Sequence, residues 1–315
     1  MVIGSLAILS SAWVCRGPRE GRGAGALSHP GSPFWVPSDA LQRHVNRCAT
    51  GDPSVDWLSH VRTRHLPAEL PRVLVIGCGE GFIERSLARM DGVGAITAVD
   101  ADPAAVERAR RNVRRRGMAA VSHAPLDPNA APLPEGPWDA VIVHDVLHHV
   151  GRLEELYGRI HDVLSARGRV VFVEYVGPNR FQYPERRTEL VQRYFRLLPQ
   201  RLRRDADTGE ALWRREPVDA ARLTRDSPFE AARSEDLLPL ARKSFVAEAE
   251  YSGGGGLLHP LLSGLARNFG RAPAEEERLL EVLCAAEARL ETERLLPNDF
   301  AVFVGRRRAT RPAVT

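Results

Sequence analysis

The chain has 315 residues, a length that fits one large α/β domain or two modest ones. Hydrophobic residues make up 43% and charged residues 27%, a mixture that excludes a long disordered chain. The net charge of +4 is carried by arginine, because Lys243 is the one lysine, and the densest basic run, residues 108–116, falls in a predicted helix. A solvated helix face explains this run better than a nucleic-acid surface, so we predict no nucleic-acid partner.

Residues 1–33 are predicted to be a disordered or wrongly started leader. Their apolar run at 2–14 is shorter than the about 20 residues that span a bilayer, and it lacks the basic start and small-residue cleavage site of a signal peptide. The four cysteines are widely spaced and form no CxxC pair, so they indicate neither a zinc site nor a disulfide framework. We therefore expect a cytoplasmic protein with no metal and no membrane contact.

Two helix-like segments precede the first strand. They cover residues 38–48 and 54–65, and each begins at a serine that can cap it, Ser38 and Ser54. We predict that residues 34–70 form a helical cap ahead of a larger domain over residues 71–315.

From residue 71 the pattern alternates between strands and helices. Strands are predicted at 73–76, 95–99, 119–124, 139–143 and 169–175, with helices at 82–90, 103–116 and 153–164. Such an alternation predicts an open, mostly parallel sheet with right-handed crossovers, whose ligands lie beyond the carboxyl ends of the strands.

After strand five a charged, helix-prone insertion covers residues 177–240, which is long for a connection and is therefore predicted to be functional. Two more strands, 245–251 and 300–305, bracket helices at 257–269 and 275–296. The glycine run 253–256 is predicted to be a flexible strand exit, since the residues of a phosphate-binding loop do not follow it. The predicted fold class is α/β: a Rossmann-like, seven-stranded, mostly parallel sheet with flanking helices, an N-terminal helical segment and this helical insertion.

A glycine-rich turn follows the first strand. Gly77, Gly79 and Gly81 let the backbone turn sharply and approach a ligand closely. The dinucleotide pattern G-x-G-x-x-G would need a third glycine where Phe82 stands. At the end of the second strand, Asp100 can accept hydrogen bonds from the hydroxyls of a ribose; the alternative of a helix cap is better served by Asp102.

In this order the motifs resemble the class I S-adenosylmethionine-dependent methyltransferases. Residues 73–81 read VLVIGCGEG, residues 99–100 read VD, residues 138–143 read WDAVIV, and residues 146–150 read VLHHV. The turn before the fifth strand reads LSARG at 164–168 where the family usually has Pro-Gly-Gly. Residues 174–182, EYVGPNRFQ, further resemble bacterial methyltransferases that act on small molecules or glycans.

The resemblance implies S-adenosylmethionine as the cofactor. Gly77, Cys78, Gly79 and Gly81 would lie under its methionine part, and Asp100 would hold the ribose. The remaining implied contacts are Ala101 and Leu126 beside the adenine, Asp127 at the adenine amino group or else as a plain turn residue, and His144 in the wall of the cleft.

Methyl transfer from a sulfonium is an in-line displacement, so holding the acceptor against the methyl group can supply most of the catalysis. If the acceptor is a hydroxyl, the candidate catalytic residues are His148, His149 and Glu174. The two histidines follow the fourth strand, and Glu174 lies at the end of the fifth. The alternative is that both histidines pack at the start of the next helix and that Glu174 fixes a loop. Arg180 either binds an anionic acceptor group or pairs with a nearby acid.

The predicted function is transfer of a methyl group to an oxygen, and less favourably a nitrogen, of a small molecule such as a sugar or secondary metabolite. Two rivals are a NAD-dependent oxidoreductase, which Phe82 disfavours, and a scaffold that binds S-adenosylmethionine without turnover. The sequence makes no prediction of oligomeric state.

Overall fold

The computed structural model describes residues 38–205, 208–265 and 268–309, so the predicted leader lies outside the described residues. Seven strands form one sheet in the order β3-β2-β1-β4-β5-β7-β6. Their bounds are β1 Leu70–Ile76, β2 Val93–Asp100, β3 Val121–Pro125, β4 Trp138–His144, β5 Leu164–Tyr175, β6 Phe245–Gly254 and β7 Phe300–Arg307.

The sheet is mostly parallel, which confirms the predicted fold class. Strands β1 to β5 pair in parallel, whereas β7 lies antiparallel between β5 and β6. Val75 of β1 is level with Ala98 of β2 and Ile142 of β4, so the carboxyl ends of these three strands meet at one edge. Ligand-binding residues at that edge are therefore brought together.

Ten α-helices are assigned among the described residues. Their bounds are α1 Asp39–Thr50, α2 Trp57–Arg64, α3 Phe82–Leu87, α4 Pro103–Arg114, α5 Leu153–Val163, α6 Glu185–Leu197, α7 Ala220–Asp226, α8 Leu237–Ser244, α9 Leu258–Leu262 and α10 Pro273–Thr292.

Helix starts follow the predicted capping chemistry at two of three positions. The Ser38 hydroxyl accepts hydrogen bonds from the first amides of α1, and Asp102 caps α4. The predicted cap Ser54 is wrong: Asp56 accepts the amide of Ser59 and starts α2 instead. The helix predicted over 257–269 is also too long, because α9 ends at Leu262 and Gly264 then turns with a positive φ of 73°.

Apolar side chains from both faces of the sheet build the core. One face packs on α2, α3 and α4, and the other packs on α5 and α8. A further apolar cluster joins α1 to α6, α9 and α10. The division into a cap at 34–70 and a domain at 71–315 stays a prediction, and the helices of the first segment share cores with the second.

The glycine run 253–256 contains the last two residues of β6 and the buried turn after them, which is held by hydrogen bonds and is not the predicted flexible exit. The amides of Gly255, Leu257 and Leu258 donate to the carboxylate of Glu287 at 2.7–2.9 Å. That carboxylate, fully buried on α10, also lies 2.8 Å from Nε2 of His44 on α1. Glu287 therefore ties α1 and α10 to the start of α9.

Within the described part of the chain, no helix combines the length and the apolar character needed to cross a membrane.

Candidate active site

A cavity of about 1120 Å³ opens at the carboxyl edge of the sheet. Ligand sites commonly occupy about 300–1,000 Å³, so this cavity has room for a cofactor and an acceptor together. One part of its wall is the glycine-rich turn with Asp100, a second part follows β4, and a third comes from the insertion. Side chains of the third part include Gln182, Tyr183, Thr188, Gln192, Arg215 and Glu230.

The glycine-rich turn leaves the β1 carboxyl end with its backbone exposed to the cavity. Gly77, Gly79 and Gly81 all have positive φ. A Cβ on Gly77 would lie 2.1 Å from Cγ2 of Val146, so the turn and the segment after β4 are in close contact. A Cβ on Gly79 would meet no protein atom within 4 Å, which means that this residue presents bare backbone to open space.

Asp100 lies at the same edge, at the end of β2. Its Oδ2 accepts the Gly79 amide at 2.8 Å, and its Oδ1 accepts the Asp102 amide at 2.9 Å. Burial raises the pKa of this carboxyl from its ordinary value. Each carboxylate oxygen keeps a second lone pair, so Asp100 can still accept hydrogen bonds from a ligand in the cavity.

The three residues predicted beside the adenine lie at the adjoining strand ends. Ala101 is exposed next to Asp100, and the amide of Leu126 donates to the Asp100 carbonyl at 2.8 Å. Leu126 is half-buried, whereas Asp127 is exposed. The carboxylate of Asp127 accepts a hydrogen bond from the amide of Asn129 at 2.8 Å, a contact typical of a turn residue.

His144 and Cys78 also line the cavity. The indole of Trp57 stacks on the His144 ring at a centroid distance of 5.9 Å, so α2 fixes this wall from behind. Cys78 is buried, and burial raises the pKa of its thiol. It therefore behaves as a small apolar residue under the turn.

His148 is held by Glu174. Its Nδ1 lies 2.7 Å from Oε2 of Glu174, and the other oxygen of that fully buried carboxylate accepts the amides of Val146 and Leu147. Burial opposes a charge on His148, but the Glu174 carboxylate outweighs it and raises the pKa of His148 to about 9. The structure thus places His148 in the cavity wall and Glu174 behind it.

His149 and Glu230 complete a cluster with His148. The two imidazole rings lie 4.0 Å apart, and Nδ1 of His149 is 3.3 Å from Oε2 of Glu230. The other Glu230 oxygen is 3.9 Å from Nε2 of His148. Burial raises the pKa of Glu230, while burial together with the neighbouring His148 lowers the pKa of His149.

Arg180 clamps the segment that carries Glu230. Its guanidinium donates to the carbonyls of Ser227, Pro228 and Glu230, and its own amide donates to the Ala231 carbonyl. This arrangement matches neither alternative weighed above, an anion site or a pair with an acid. Arg180 instead positions Glu230 over the two histidines.

An aromatic and ionic network forms the opposite wall. Arg187 makes a buried two-pronged ion pair with Asp299, and Tyr183 lies 3.1 Å from Nδ1 of His259 through its hydroxyl. The Tyr175 hydroxyl donates to the Pro178 carbonyl at 3.0 Å. The contacts of Tyr183 and Arg187 hold the insertion against α9 and against Asp299, the residue before β7.

Sequence reasoning missed Glu230 and Tyr183 as cavity residues. Both lie in the insertion, where Glu230 has no recognisable motif around it. Tyr183 follows the 174–182 pattern directly, but its contact with His259 depends on the tertiary fold. A single sequence does not show which acidic residue of a highly charged segment is buried, so Glu230 could not be distinguished from its exposed neighbours.

The comparison with known proteins agrees with this geometry. Residues 74–172 match the family model of the methyltransferase domain. An uncharacterized methyltransferase of Mycobacterium tuberculosis is 31% identical over 107 residues, which are 34% of this chain and 52% of that protein. The trans-aconitate 2-methyltransferase of Streptomyces coelicolor is 30% identical over 157 residues, 50% of this chain and 49% of that protein.

The matched part thus spans about half the length of these curated relatives. Among solved structures, phosphoethanolamine N-methyltransferase 2 of Haemonchus contortus in complex with S-adenosyl-L-methionine has a TM-score of 0.50 and 16% identity. That alignment covers 80% of this chain and 51% of the other, and it shows the fold. Residues 74–172 therefore match a methyltransferase domain, and the strand order and the structural alignment show that the described chain has the fold of S-adenosylmethionine-dependent methyltransferases.

Proposed function

We propose that the chain transfers a methyl group from S-adenosylmethionine to an oxygen of a small-molecule acceptor, such as a sugar or secondary metabolite. One observation carries the proposal. A single cavity joins the bare glycine backbone and Asp100 to the polar cluster of His148, His149 and Glu230. The cofactor half and the acceptor half are thus continuous.

The residues of the cofactor half fit the group that the family uses. Gly79 offers backbone with open space in front of it, and Asp100 offers a half-buried carboxylate beside it. In the proposal Gly77, Cys78, Gly79 and Gly81 bind the methionine part and Asp100 accepts the ribose hydroxyls. Ala101, Leu126, Asp127 and His144 surround the adenosyl part. Phe82 starts α3 where a dinucleotide turn would have glycine, which disfavours NAD.

S-adenosylmethionine supplies an electrophilic methyl carbon on a positively charged sulfur. A lone pair of the acceptor oxygen forms the new bond to that carbon while the carbon–sulfur bond breaks. The electron pair of the broken carbon–sulfur bond stays on sulfur. The hydroxyl proton leaves through the cavity to water. The chain's task is to hold the oxygen in line and to favour loss of its proton.

The cluster of His148, His149 and Glu230 is suited to the second task. Its three polar groups face the cavity, and Glu174 fixes the ring of His148 from behind. In this proposal His148, His149 and Glu230 touch the acceptor, whereas Glu174 is a positioning residue. Oxygen is favoured over nitrogen as the acceptor atom because the cluster would help a hydroxyl to lose its proton. A neutral amine can attack through its lone pair and does not need to lose a proton first. A relative from Legionella pneumophila, 29% identical over 149 residues, is named a malonyl-[acyl-carrier protein] O-methyltransferase.

Methyl transfer can be followed with S-adenosylmethionine labelled in its methyl group. We would offer pairs of acceptors that share a skeleton and differ in a hydroxyl or an amine, and measure both label transfer and S-adenosylhomocysteine. Label on the hydroxyl member is expected. Label on the amine alone would contradict the oxygen assignment, and tight cofactor binding without any S-adenosylhomocysteine would favour the scaffold.

A further inference from the structure

The acceptor half of the cavity brings together three metal-binding side chains. His148, His149 and Glu230 each offer one ligand atom, and these atoms all lie within 4.8 Å of one another. They come from two distant parts of the chain: the segment after β4, and the turn of the insertion that Arg180 clamps. The fold therefore assembles this trio.

One carboxyl oxygen of Glu230, Oε2, receives no hydrogen bond from the described residues, although Nδ1 of His149 lies 3.3 Å from it. The Glu230 side chain is 7% exposed. A buried acceptor that receives no hydrogen bond destabilises the folded protein, and more strongly when it is charged. A cation between the carboxylate and the rings would remove that destabilisation.

The distances suit a cation of the zinc class. Ligand atoms at the usual 2.0–2.2 Å from a tetrahedral ion lie roughly 3.3 Å from each other. Oε2 of Glu230 is 3.3 Å from Nδ1 of His149, its Oε1 is 3.9 Å from Nε2 of His148, and one ligand atom from each residue lies within 4.8 Å of the other two. Small side-chain adjustments would therefore bring all three atoms into coordination range.

His148 already has the outer partner that metal-binding histidines usually have. Its Nδ1 lies 2.7 Å from the buried carboxylate of Glu174, so Nδ1 carries a hydrogen, and Nε2, 3.9 Å from Glu230, is the atom that would bind the cation after losing its own hydrogen. A carboxylate–histidine pair of this kind fixes the tautomer and orients the ring toward a metal.

We infer that His148, His149 and Glu230 form a binding site for one divalent cation in the acceptor half of the cavity. Two imidazoles and a carboxylate suit Zn²⁺, Mn²⁺ or Fe²⁺ better than Mg²⁺ or Ca²⁺, which prefer oxygen ligands throughout. Three protein ligands leave a coordination position open, and the trio faces the cavity.

An open position has a consequence for the acceptor, which rests on the proposed function. A hydroxyl oxygen coordinated there would lose its proton more readily, and it would be held at a fixed point in the cavity. The acceptor class is then a hydroxyl-bearing molecule whose methylation depends on the cation.

Cation binding can be measured independently of turnover. The full-length protein is stripped with a chelator, exchanged into metal-free buffer, and titrated with ZnCl₂ and MnCl₂ by calorimetry, with MgCl₂ for comparison. We expect one Zn²⁺ or Mn²⁺ to bind per protein molecule. The Glu230→Gln variant should bind the cation more than about 100-fold more weakly, which is a larger loss than removal of a residue that only supports a metal ligand typically causes. Glu155→Gln, an exposed acid on α5 with 49% side-chain exposure, is the matched control and should bind as wild type.

Cobalt spectra identify the ligands. A second buried trio, Cys78, Glu84 and His123, lies beneath the glycine-rich turn and contains a thiol. Co²⁺ in the cavity site should show no thiolate charge-transfer absorption, and His149→Gln should change its visible bands. A thiolate band on the tightly bound ion, or binding equal in wild type and Glu230→Gln, would overturn the inference.

Failure of this inference and of the proposed function can be told apart. Methyl transfer by the stripped protein would overturn the dependence of methylation on the cation and leave the proposed function standing, whereas calorimetry that detects no Glu230-dependent binding would overturn the cation site. Cation binding that depends on Glu230, in a protein that makes no S-adenosylhomocysteine, would leave the site and overturn the function.

Discussion

Replacing Glu174 with glutamine should lower kcat about 10- to 100-fold while leaving the KM for S-adenosylmethionine unchanged. Glu174 holds Nδ1 of His148 at 2.7 Å and accepts two backbone amides from the segment after β4. A glutamine amide would present a donor where donors already point, so the ring of His148 would lose its fixed orientation. The hydrogen bond between Asp100 and Gly79, at the ends of β2 and β1, involves none of these groups.

The same change should also destabilise the fold. Removing one partner of a buried charged pair typically lowers the free energy of unfolding by about 3–5 kcal/mol. Denaturant unfolding would measure this loss, and kinetics at a temperature where the variant is fully folded would separate it from the loss of kcat. Wild-type kcat in a folded Glu174→Gln variant would show that His148 needs no carboxylate behind it.

Glu287→Gln should lower the free energy of unfolding by about 3–5 kcal/mol. The fully buried carboxylate receives three backbone amides at the start of α9 and pairs with His44. Glutamine keeps one acceptor oxygen and introduces a donor beside those amides. Denaturant unfolding near pH 7 would measure the change. Glu281→Gln, an exposed acid on the same helix with 53% side-chain exposure, should have almost no effect.

The stabilising contribution of Glu287 should also depend on pH. Burial alone would raise the pKa of this carboxyl, but His44 and the backbone amides outweigh it and lower the pKa. Such a group stabilises the fold above its unfolded pKa of about 4.3, and the contribution is lost as the pH falls through the lower folded value. Wild type should therefore lose more stability on acidification than Glu287→Gln, and parallel pH profiles would contradict the assigned role.

Much of the sheet could be predicted because its signals are local. The apolar run of β1 ends at glycines, which adopt positive φ more easily than other residues. The end of β2 is marked by a different local signal, the change from apolar residues to the acidic Asp100. Parallel strands buried on both faces read as continuous apolar runs, as β5 does over Val170–Val173.

Long-range pairing could not be predicted in the same way. β7 lies between β5 and β6 in the sheet. The side-chain pattern of β7 does not specify which strands it pairs with, or whether the pairing is parallel or antiparallel. The glycine run 253–256 looked flexible because Glu287, more than thirty residues later, is the group that binds its backbone. Glu230 reaches the two histidines only because Arg180 folds its segment back over them.

Glu174 illustrates a further limit of sequence reasoning. Its place at the end of β5 indicated a site residue, but a strand position alone does not say whether the side chain faces the ligand or the interior. The amides of Val146 and Leu147 draw the carboxylate inward, and His148 occupies the cavity wall in front of it. The proposal therefore assigns Glu174 to positioning and Glu230 to the acceptor.

In the proposed function the glycine-rich turn and Asp100 bind S-adenosylmethionine in the cavity. This binding can be tested by calorimetric titration of the purified protein with S-adenosylmethionine, S-adenosylhomocysteine and NAD, repeated on Asp100→Ala. We expect micromolar binding of both adenosyl ligands, no binding of NAD, and loss of adenosyl binding in a variant that remains folded. Binding of NAD alone, or adenosyl binding unchanged in Asp100→Ala, would contradict the assigned site.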